Sequence, residues 1–266
     1  MSALNHRIRY VMEKLAHASP ADLMRWMVGY RNVAAQLAAP PRRTPVEMIT
    51  ALFPEVTVLA AEKCQLEFLQ DNEFWNALNG RMIEGRRCHV GHADWHDFLY
   101  MAVRFAKPKV FFETGVFDGQ SSAIILNALR KNQAGILVSI DLPATDAIQG
   151  STDGMVNTTL PPNRQPGWAV PDYLRERYHL ELGDSRVLLP QLFRRYPAID
   201  AFFHDSLHTF EHMYFEFNEA WPHLSLGGLL LSDDIFWNPA LHRFCREKKL
   251  QYVRTERFGA VRKPNG

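Results

Sequence analysis

The pattern of apolar and polar positions changes once along the chain, near residue 110. Before that point apolar residues recur at helical spacing, and after it short apolar runs alternate with helical stretches. Such alternation is typical of βαβ units, which assemble into a parallel sheet. The sequence therefore predicts a helical amino-terminal extension, residues 1–94, followed by an α/β domain, residues 95–266.

Two helix starts in the amino-terminal extension carry the same signature. Ser19-Pro20-Ala21-Asp22 and Thr44-Pro45-Val46-Glu47 each place a hydroxyl at the N-cap, proline at the first helical position and a carboxylate in the first turn. These groups suit the unpaired amides of a helix start. Further helices are predicted over 58–80 and over 94–105, before Pro108. We expect the extension to cover the functional site or to form a homo-oligomer contact.

Seven strands are predicted after residue 110, and the last two form an antiparallel closing hairpin. The strand candidates are 110–112, 136–140, 179–182, 201–204, 229–231, 252–256 and 259–262. Residues 142–173, which separate the second and third strands, are rich in Pro, Gly, Thr and Asn. A loop of this length in a compact domain is usually a lid or a binding segment. We therefore predict an active-site loop there.

Composition and charge narrow the class of protein. The chain has 266 residues, 47% of them hydrophobic, with 30 Lys and Arg against 29 Asp and Glu. This balance gives no electrostatic footprint for nucleic acid or an anionic membrane. No apolar run reaches the ~18 residues of a membrane span, and the start lacks a secretory apolar core. Three widely separated cysteines favour a reducing cytoplasm over a disulfide framework or a zinc site.

Carboxylates follow each of the five predicted parallel strands. They are Glu113, Asp141, Asp184, Asp205 and the pair Asp233-Asp234. The carboxyl ends of parallel strands meet at one edge of a sheet, and ligands of open α/β sheets bind in the crevice there. We therefore expect these side chains to line one pocket that favours a cationic or hydroxyl-rich ligand.

The first strand runs into a glycine turn, and two cofactor classes compete for it. Gly115 and Gly119 let backbone amides approach a ligand, although a tight turn without a ligand is the alternative. A dinucleotide site needs Gly-x-Gly-x-x-Gly and an acid ~20 residues further on. Asp141 fits that acid, but Phe117 fills the middle glycine position. A sulfonium cofactor has no phosphate, so acidic neighbours such as Glu113 favour its binding.

Over roughly residues 95–262, these motifs resemble the class I S-adenosylmethionine-dependent methyltransferases, in particular the small-molecule and sugar O-methyltransferases. The resemblance implies a Rossmann-like, doubly wound, mostly parallel seven-stranded sheet. It implies that Asp141 binds the ribose hydroxyls and Asp184 the adenine amine. Simpler roles are a strand-end cap and a turn residue. The residues implied to hold the methionine part of the cofactor are Glu113, Gly115, Gly119 and Ser121.

Asp205, Asp233 and Asp234 end adjacent strands, so their carboxylates repel unless they are protonated, hydrogen-bonded or bridged by a cation. Oxygen ligands suit Mg²⁺, Ca²⁺ or Mn²⁺ better than zinc. The resemblance to catechol-type and macrolide-sugar O-methyltransferases implies such a metal, which clamps the substrate hydroxyls there. Structural or substrate-binding carboxylates held by hydrogen bonds are the alternative.

Methyl transfer to a hydroxyl requires removal of its proton by a base or a metal. His208 stands three residues after Asp205, where the catechol-type relatives carry a lysine, and it is the candidate base in a catalytic pair with Asp205. A helix cap or a surface position is the simpler alternative for His208. His204 is predicted to be a core residue, and His212 to share a helix face with His208.

Together these features predict a methyltransferase that uses S-adenosylmethionine to methylate a hydroxyl of a small-molecule acceptor. The sequence also leaves open an NAD(P)-binding oxidoreductase and a non-catalytic scaffold with the same fold. Trp168, within the predicted active-site loop, either covers the substrate or anchors the loop to the core.

Overall fold

The computed structural model describes residues 39–142 and 160–265. The helix predicted to start at Ser19 lies outside these ranges, as do residues 143–159 of the predicted active-site loop. None of the described helices is both long and apolar enough to cross a membrane.

Within residues 39–109, four helices precede the first strand: α1 (Pro45–Leu52), α2 (Val58–Leu69), α3 (Asn72–Glu84) and α4 (Asp94–Ala106). The predicted start at Thr44 is confirmed. The Thr44 hydroxyl accepts from the Glu47 amide, and the Glu47 carboxylate accepts from the Thr44 amide. The prediction of a single helix over 58–80 was wrong, because Asp71 interrupts it and caps α3 by accepting from the Phe74 amide.

In the described part of the chain, seven strands form one sheet: β1 (Val110–Thr114), β2 (Ile136–Asp141), β3 (Tyr178–Leu182), β4 (Ile199–His204), β5 (Leu224–Ser232), β6 (Val253–Arg254) and β7 (Gly259–Arg262). Their order is β3-β2-β1-β4-β5-β7-β6. Strands β1 to β5 run parallel, and β7 is antiparallel to both β5 and β6. The predicted Rossmann-like sheet with its closing hairpin is confirmed.

Helices α5 (Gln120–Asn132), α6 (Ser185–Arg195), α7 (Phe210–His223) and α8 (Ala240–Glu247) complete the α/β layers, with a 3-10 helix at Asp172–Arg177. Successive side chains of a strand point to opposite faces of the sheet. Phe111 of β1 accordingly joins a core with α1 to α5, whereas Phe112 joins a second core with α6, α7 and α8. The described amino-terminal helices therefore share a core with the sheet.

The strand register aligns the ends of the central strands. Thr114 pairs with Ile140 of β2 and with His204 of β4, and His204 pairs with Ser232 of β5. The hydrogen-bond ladder continues one residue past β4 and β5. The amide of Asp205 donates to the Thr114 carbonyl, and the amide of Asp233 donates to the His204 carbonyl. The turn after β1 and the acids after β2, β4 and β5 thus begin at one level along the sheet edge.

Gly115 is required at this edge by a close approach of two backbones. It adopts φ +83°, and a Cβ atom there would collide with the carbonyl group of Asp205. Any other residue at this position would have a strained backbone conformation, and its side chain would collide with the backbone of Asp205. The turn after β1 therefore lies directly against the segment that follows β4.

We expect Gly115→Ala to lower the free energy of unfolding by about 1–3 kcal/mol or more, because strain and collision act together. The matched control is Gly80→Ala in α3, where a Cβ atom meets open space. That change should raise stability by about 0.5–1 kcal/mol, since alanine favours helix. Equilibrium urea unfolding measures both, and equal shifts for the two variants would contradict the required close approach.

Candidate functional site

The carboxylate of Asp141 organises the turn that follows β1. Its Oδ2 atom accepts from the amides of Val116 at 2.9 Å and Phe117 at 2.7 Å, and Oδ1 accepts from the Leu142 amide at 2.7 Å. Burial raises the pKa of Asp141 above its usual range, although these amides act to lower it. Asp141 therefore lies at the sheet edge beside the turn, as the sequence predicts. Its role toward a ribose stays a prediction.

Glu113 supports the same turn from below. Its side chain is fully buried and accepts from the hydroxyls of Ser121 and Ser139 at 2.6 Å each, and from Ser122. Burial raises the pKa of Glu113 to about 7, although the three hydroxyls act to lower it. Glu113 thus ties β1 to β2 and to the start of α5. Sequence reasoning missed Ser139, and the contact of Glu113 and Ser121 with a cofactor stays a prediction.

The described end of the predicted active-site loop packs on the glycine turn. At Gly119, which adopts φ +96°, a Cβ atom would lie 2.8 Å from the Gly167 Cα atom. The Gly167 amide donates to the Phe117 carbonyl at 2.8 Å, and the Trp168 indole donates to the Asp118 carboxylate at 2.7 Å. Trp168 is buried. Of the two roles predicted for this residue, its contacts are those of an anchor.

Asp184 follows β3 and caps the next helix. Its Oδ1 atom accepts from the Arg186 amide at 2.8 Å, so it is the N-cap residue of α6. The Gly183 amide donates to the Asp141 carbonyl at 2.8 Å, which keeps the end of β3 beside that of β2. Asp184 is exposed at the same edge. A contact with adenine stays a prediction.

The structure brings together the three acids that follow β4 and β5, and adds Arg257, which sequence reasoning missed. Arg257 Nε donates to Asp233 Oδ1 at 2.9 Å, and its Nη2 atom bonds Asp233 Oδ2 and lies 3.2 Å from Asp234 Oδ1. The side chains of Asp233 and Asp234 are each 3% exposed. Burial, and then the charges of Asp233 and Asp234, raise the pKa of Asp205 well above its usual range.

His208 lies against the same acids, as predicted for a base beside Asp205. Its Nε2 atom is 3.6 Å from Asp205 Oδ1 and 3.8 Å from Asp234 Oδ2. The ring is almost buried, and the Asn238 side chain donates to the His208 carbonyl at 2.9 Å. The structure therefore joins His208, Asp205 and Asp234 in one cluster.

The predicted metal site does not fit this arrangement. Within 39–142 and 160–265, no group of three or more His, Cys, Asp or Glu residues is placed to hold a metal ion. The Arg257 guanidinium already forms ion pairs with two of the three predicted ligands, Asp233 and Asp234. These carboxylates therefore have a cationic partner within the chain.

Comparison with known proteins gives a family match over the central part of the chain. Residues 112–235 match the sequence profile of a family described as a methyltransferase domain. This match supports the predicted resemblance to the class I S-adenosylmethionine-dependent methyltransferases. No curated protein matches the sequence of this chain.

Solved structures share the fold of this methyltransferase. The O-methyltransferase NovP has 15% identity and a TM-score of 0.53, covering 73% of this chain and 97% of NovP. TomG of Streptomyces achromogenes, solved with SAM, has 16% identity and a TM-score of 0.50 over 73% and 91% of the two chains. SAH-bound PaMTH1 of Podospora anserina has 16% identity and a TM-score of 0.50 over 71% and 88%.

A buried carboxylate behind the acidic cluster completes the site of the methyltransferase. Glu216 of α7 is fully buried, and it bonds His204 Nδ1 at 2.6 Å and His212 Nε2 at 2.9 Å. Burial acts to raise the pKa of Glu216, but the charges and hydrogen bonds of the two histidines hold it well below its usual range. The hydroxyls that also donate to Glu216 belong to Thr114, Ser185 and Ser206.

This network revises the sequence interpretation of two histidines. His204 is a buried residue, as predicted, and its ring lies 5.3 Å from that of His208 between centroids. The prediction that His212 shares a helix face with His208 was wrong, because α7 begins at Phe210, after His208. The spacing of His212 and Glu216, four residues apart, is a signal that sequence reasoning could have used.

We expect Glu216→Gln to lower the free energy of unfolding at pH 7 by about 3 kcal/mol, because the buried partners lose an ionised acceptor. The folded-state pKa is depressed, so the advantage of wild type over the variant is present above the ordinary glutamate pKa and is lost as the pH falls below it. Urea unfolding at pH 7 and below pH 4.5 measures this. The control is Glu219→Gln, a part-exposed position on the same helix, and equal losses in both variants would contradict the assignment.

Proposed function

We propose that this methyltransferase transfers the methyl group of S-adenosylmethionine to a hydroxyl oxygen of a small-molecule acceptor. The observation that carries the proposal is the close packing of Gly115 against Asp205, which sets the glycine turn beside the cluster around His208. Transfer requires the donor sulfur and the acceptor oxygen to meet in line within a few ångströms. A cofactor held by the turn would present its reactive end to that cluster.

The donor groups at the turn fit the proposed cofactor chemically. The Asp141 carboxylate has one acceptor position left at Oδ1 for a ribose hydroxyl, and the start of α5 offers amides to the cofactor's carboxylate. Asp184 is exposed at the neighbouring strand end, and in this proposal its Oδ2 atom accepts from the adenine amine. Carboxylates disfavour a pyrophosphate and favour a sulfonium and an ammonium group. This charge pattern supports S-adenosylmethionine over a dinucleotide.

When bound, S-adenosylmethionine supplies a methyl group on an electrophilic sulfonium. His208 acts as the general base and takes the acceptor's hydroxyl proton at Nε2. Asp205 and Asp234 have carboxylate oxygens 3.6 and 3.8 Å from Nε2, so Asp234 stabilises the imidazolium that forms, and the imidazolium in turn favours the ionised form of Asp205. Asp205 also borders the turn, so it lies where the acceptor and the cofactor would meet.

The neighbouring structures support oxygen as the acceptor atom. NovP and TomG are described as O-methyltransferases, and TomG is described as involved in tomaymycin synthesis. A small-molecule acceptor for the present chain follows by analogy with that chemistry. The described residues supply no feature that selects an NAD(P)-dependent reaction instead, because Phe117 still occupies the middle glycine position of a dinucleotide fingerprint.

Titration calorimetry should show that wild type binds S-adenosylmethionine saturably. A parallel titration with NAD should show no binding. Asp141→Asn should lower the affinity for S-adenosylmethionine by about 10- to 100-fold, because charged hydrogen bonding to the ribose is lost. Asp172→Asn, at an exposed site on the 3-10 helix, is the control and should bind normally. Binding of NAD without S-adenosylmethionine would overturn the proposal in favour of an oxidoreductase.

For transfer itself, His208→Ala should lower kcat by about 10²- to 10⁴-fold with unchanged cofactor affinity, since a general base contributes that much. His179→Ala, an exposed histidine on β3, is the control and should leave kcat unchanged. A labelled methyl donor incubated with a metabolite extract provides the assay. A wild-type protein that binds the cofactor but labels no compound would indicate the non-catalytic scaffold.

A further inference from the structure

The backbone of the closing hairpin fixes the position of Arg257. This residue lies between β6 and β7, and its carbonyl accepts from the Ile235 amide at 2.9 Å. Ile235 directly follows Asp234 in the chain. Backbone hydrogen bonding therefore fixes the Cα atom of Arg257 beside the acids. The position of the guanidinium does not depend on side-chain conformation alone.

The guanidinium meets the acids in the geometry of a strong ion pair. Two of its nitrogens bond both oxygens of Asp233, which is the bidentate arrangement that arginine favours. The second nitrogen also reaches Asp234 Oδ1 at 3.2 Å. Both carboxylates are almost fully buried, and breaking such a buried ion pair by removal of one partner is strongly destabilising.

We propose that Arg257 is the resident cation of this site, in the place where a divalent metal would otherwise join the acids that follow β4 and β5. The chain then binds no divalent cation at Asp205, Asp233 and Asp234. This inference rests on the proposed function only for the identity of the neighbouring pocket as the acceptor site.

The substitution of a guanidinium for a metal has a consequence for the acceptor. A divalent metal offers open coordination positions that can clamp two hydroxyl oxygens and acidify them. A guanidinium has only N–H donors and forms no such chelate. The acceptor class is therefore a small molecule that presents a single hydroxyl to His208, with no requirement for a vicinal diol.

The test is Mn²⁺ binding, followed by the loss of the free-ion electron paramagnetic resonance signal at constant ionic strength. Wild type should show no saturable binding below about 1 mM, because the guanidinium repels the ion at contact distance. Arg257→Gln and Arg257→Ala should each bind Mn²⁺ at least about 100-fold more tightly, since removal of one charge a few ångströms away changes the energy by several kcal/mol. Adding Asp233→Asn to either variant should abolish the gain.

Arg243→Gln is the matched control, because Arg243 is 51% exposed and pairs with Glu247 away from the cluster, whereas Arg257 is 45% exposed. It should bind Mn²⁺ no better than wild type. Circular dichroism checks that each variant is folded. Saturable Mn²⁺ binding by wild type that Asp233→Asn removes would overturn the proposal, and so would folded Arg257 variants that gain no affinity.

The acceptor consequence is tested with methyl transfer in the presence and absence of a chelator. Equal rates support a metal-free site, and a loss of more than about tenfold with chelator would overturn it. Mn²⁺ binding needs neither methyl donor nor acceptor. A protein that transfers no methyl group would thus contradict the proposed function, while the Mn²⁺ result would still decide the role of Arg257.

Discussion

The packing of Gly115 against the backbone of Asp205 is the constraint on which the site depends. Because β1 and β4 are neighbours, the turn after one strand and the segment after the other meet without intervening side chains. The distance between the glycine turn and the acidic cluster is therefore set by backbone contact. For a reaction between a donor at the turn and an acceptor at the cluster, the fold itself fixes the distance between the two binding sites.

Around this contact, buried and half-buried carboxylates are stabilised by different sets of donors. Glu113 has serine hydroxyls, Asp141 has backbone amides, Glu216 has histidines, and the pair Asp233-Asp234 has the Arg257 guanidinium. Each set provides what an unpaired buried charge lacks, since burial without partners is costly. Groups of the chain itself therefore hold the acids at this sheet edge, and they keep His208 beside Asp205 and Asp234.

The sequence predicted correctly the position of those site residues that directly follow a strand. Asp141 and Asp205 each follow their own strand, so strand patterns alone place them at one edge. The sequence did not predict side-chain contacts between residues that are far apart along the chain. Arg257 comes 24 residues after Asp233 in a hairpin that carries no motif. Glu216 reaches Thr114 across 102 residues. The break at Asp71 was also missed, because apolar spacing continues across it while a single side-chain cap decides the start of α3.

The most direct test of the account is a crystal structure of the protein with S-adenosylhomocysteine. We expect the ribose to lie at the Asp141 carboxylate and the sulfur to face the space between Gly115 and His208. An acceptor oxygen placed in line with that sulfur would then come within reach of His208 Nε2. S-adenosylhomocysteine bound elsewhere, with neither Asp141 nor the Asp205 segment in contact with it, would contradict the central claim.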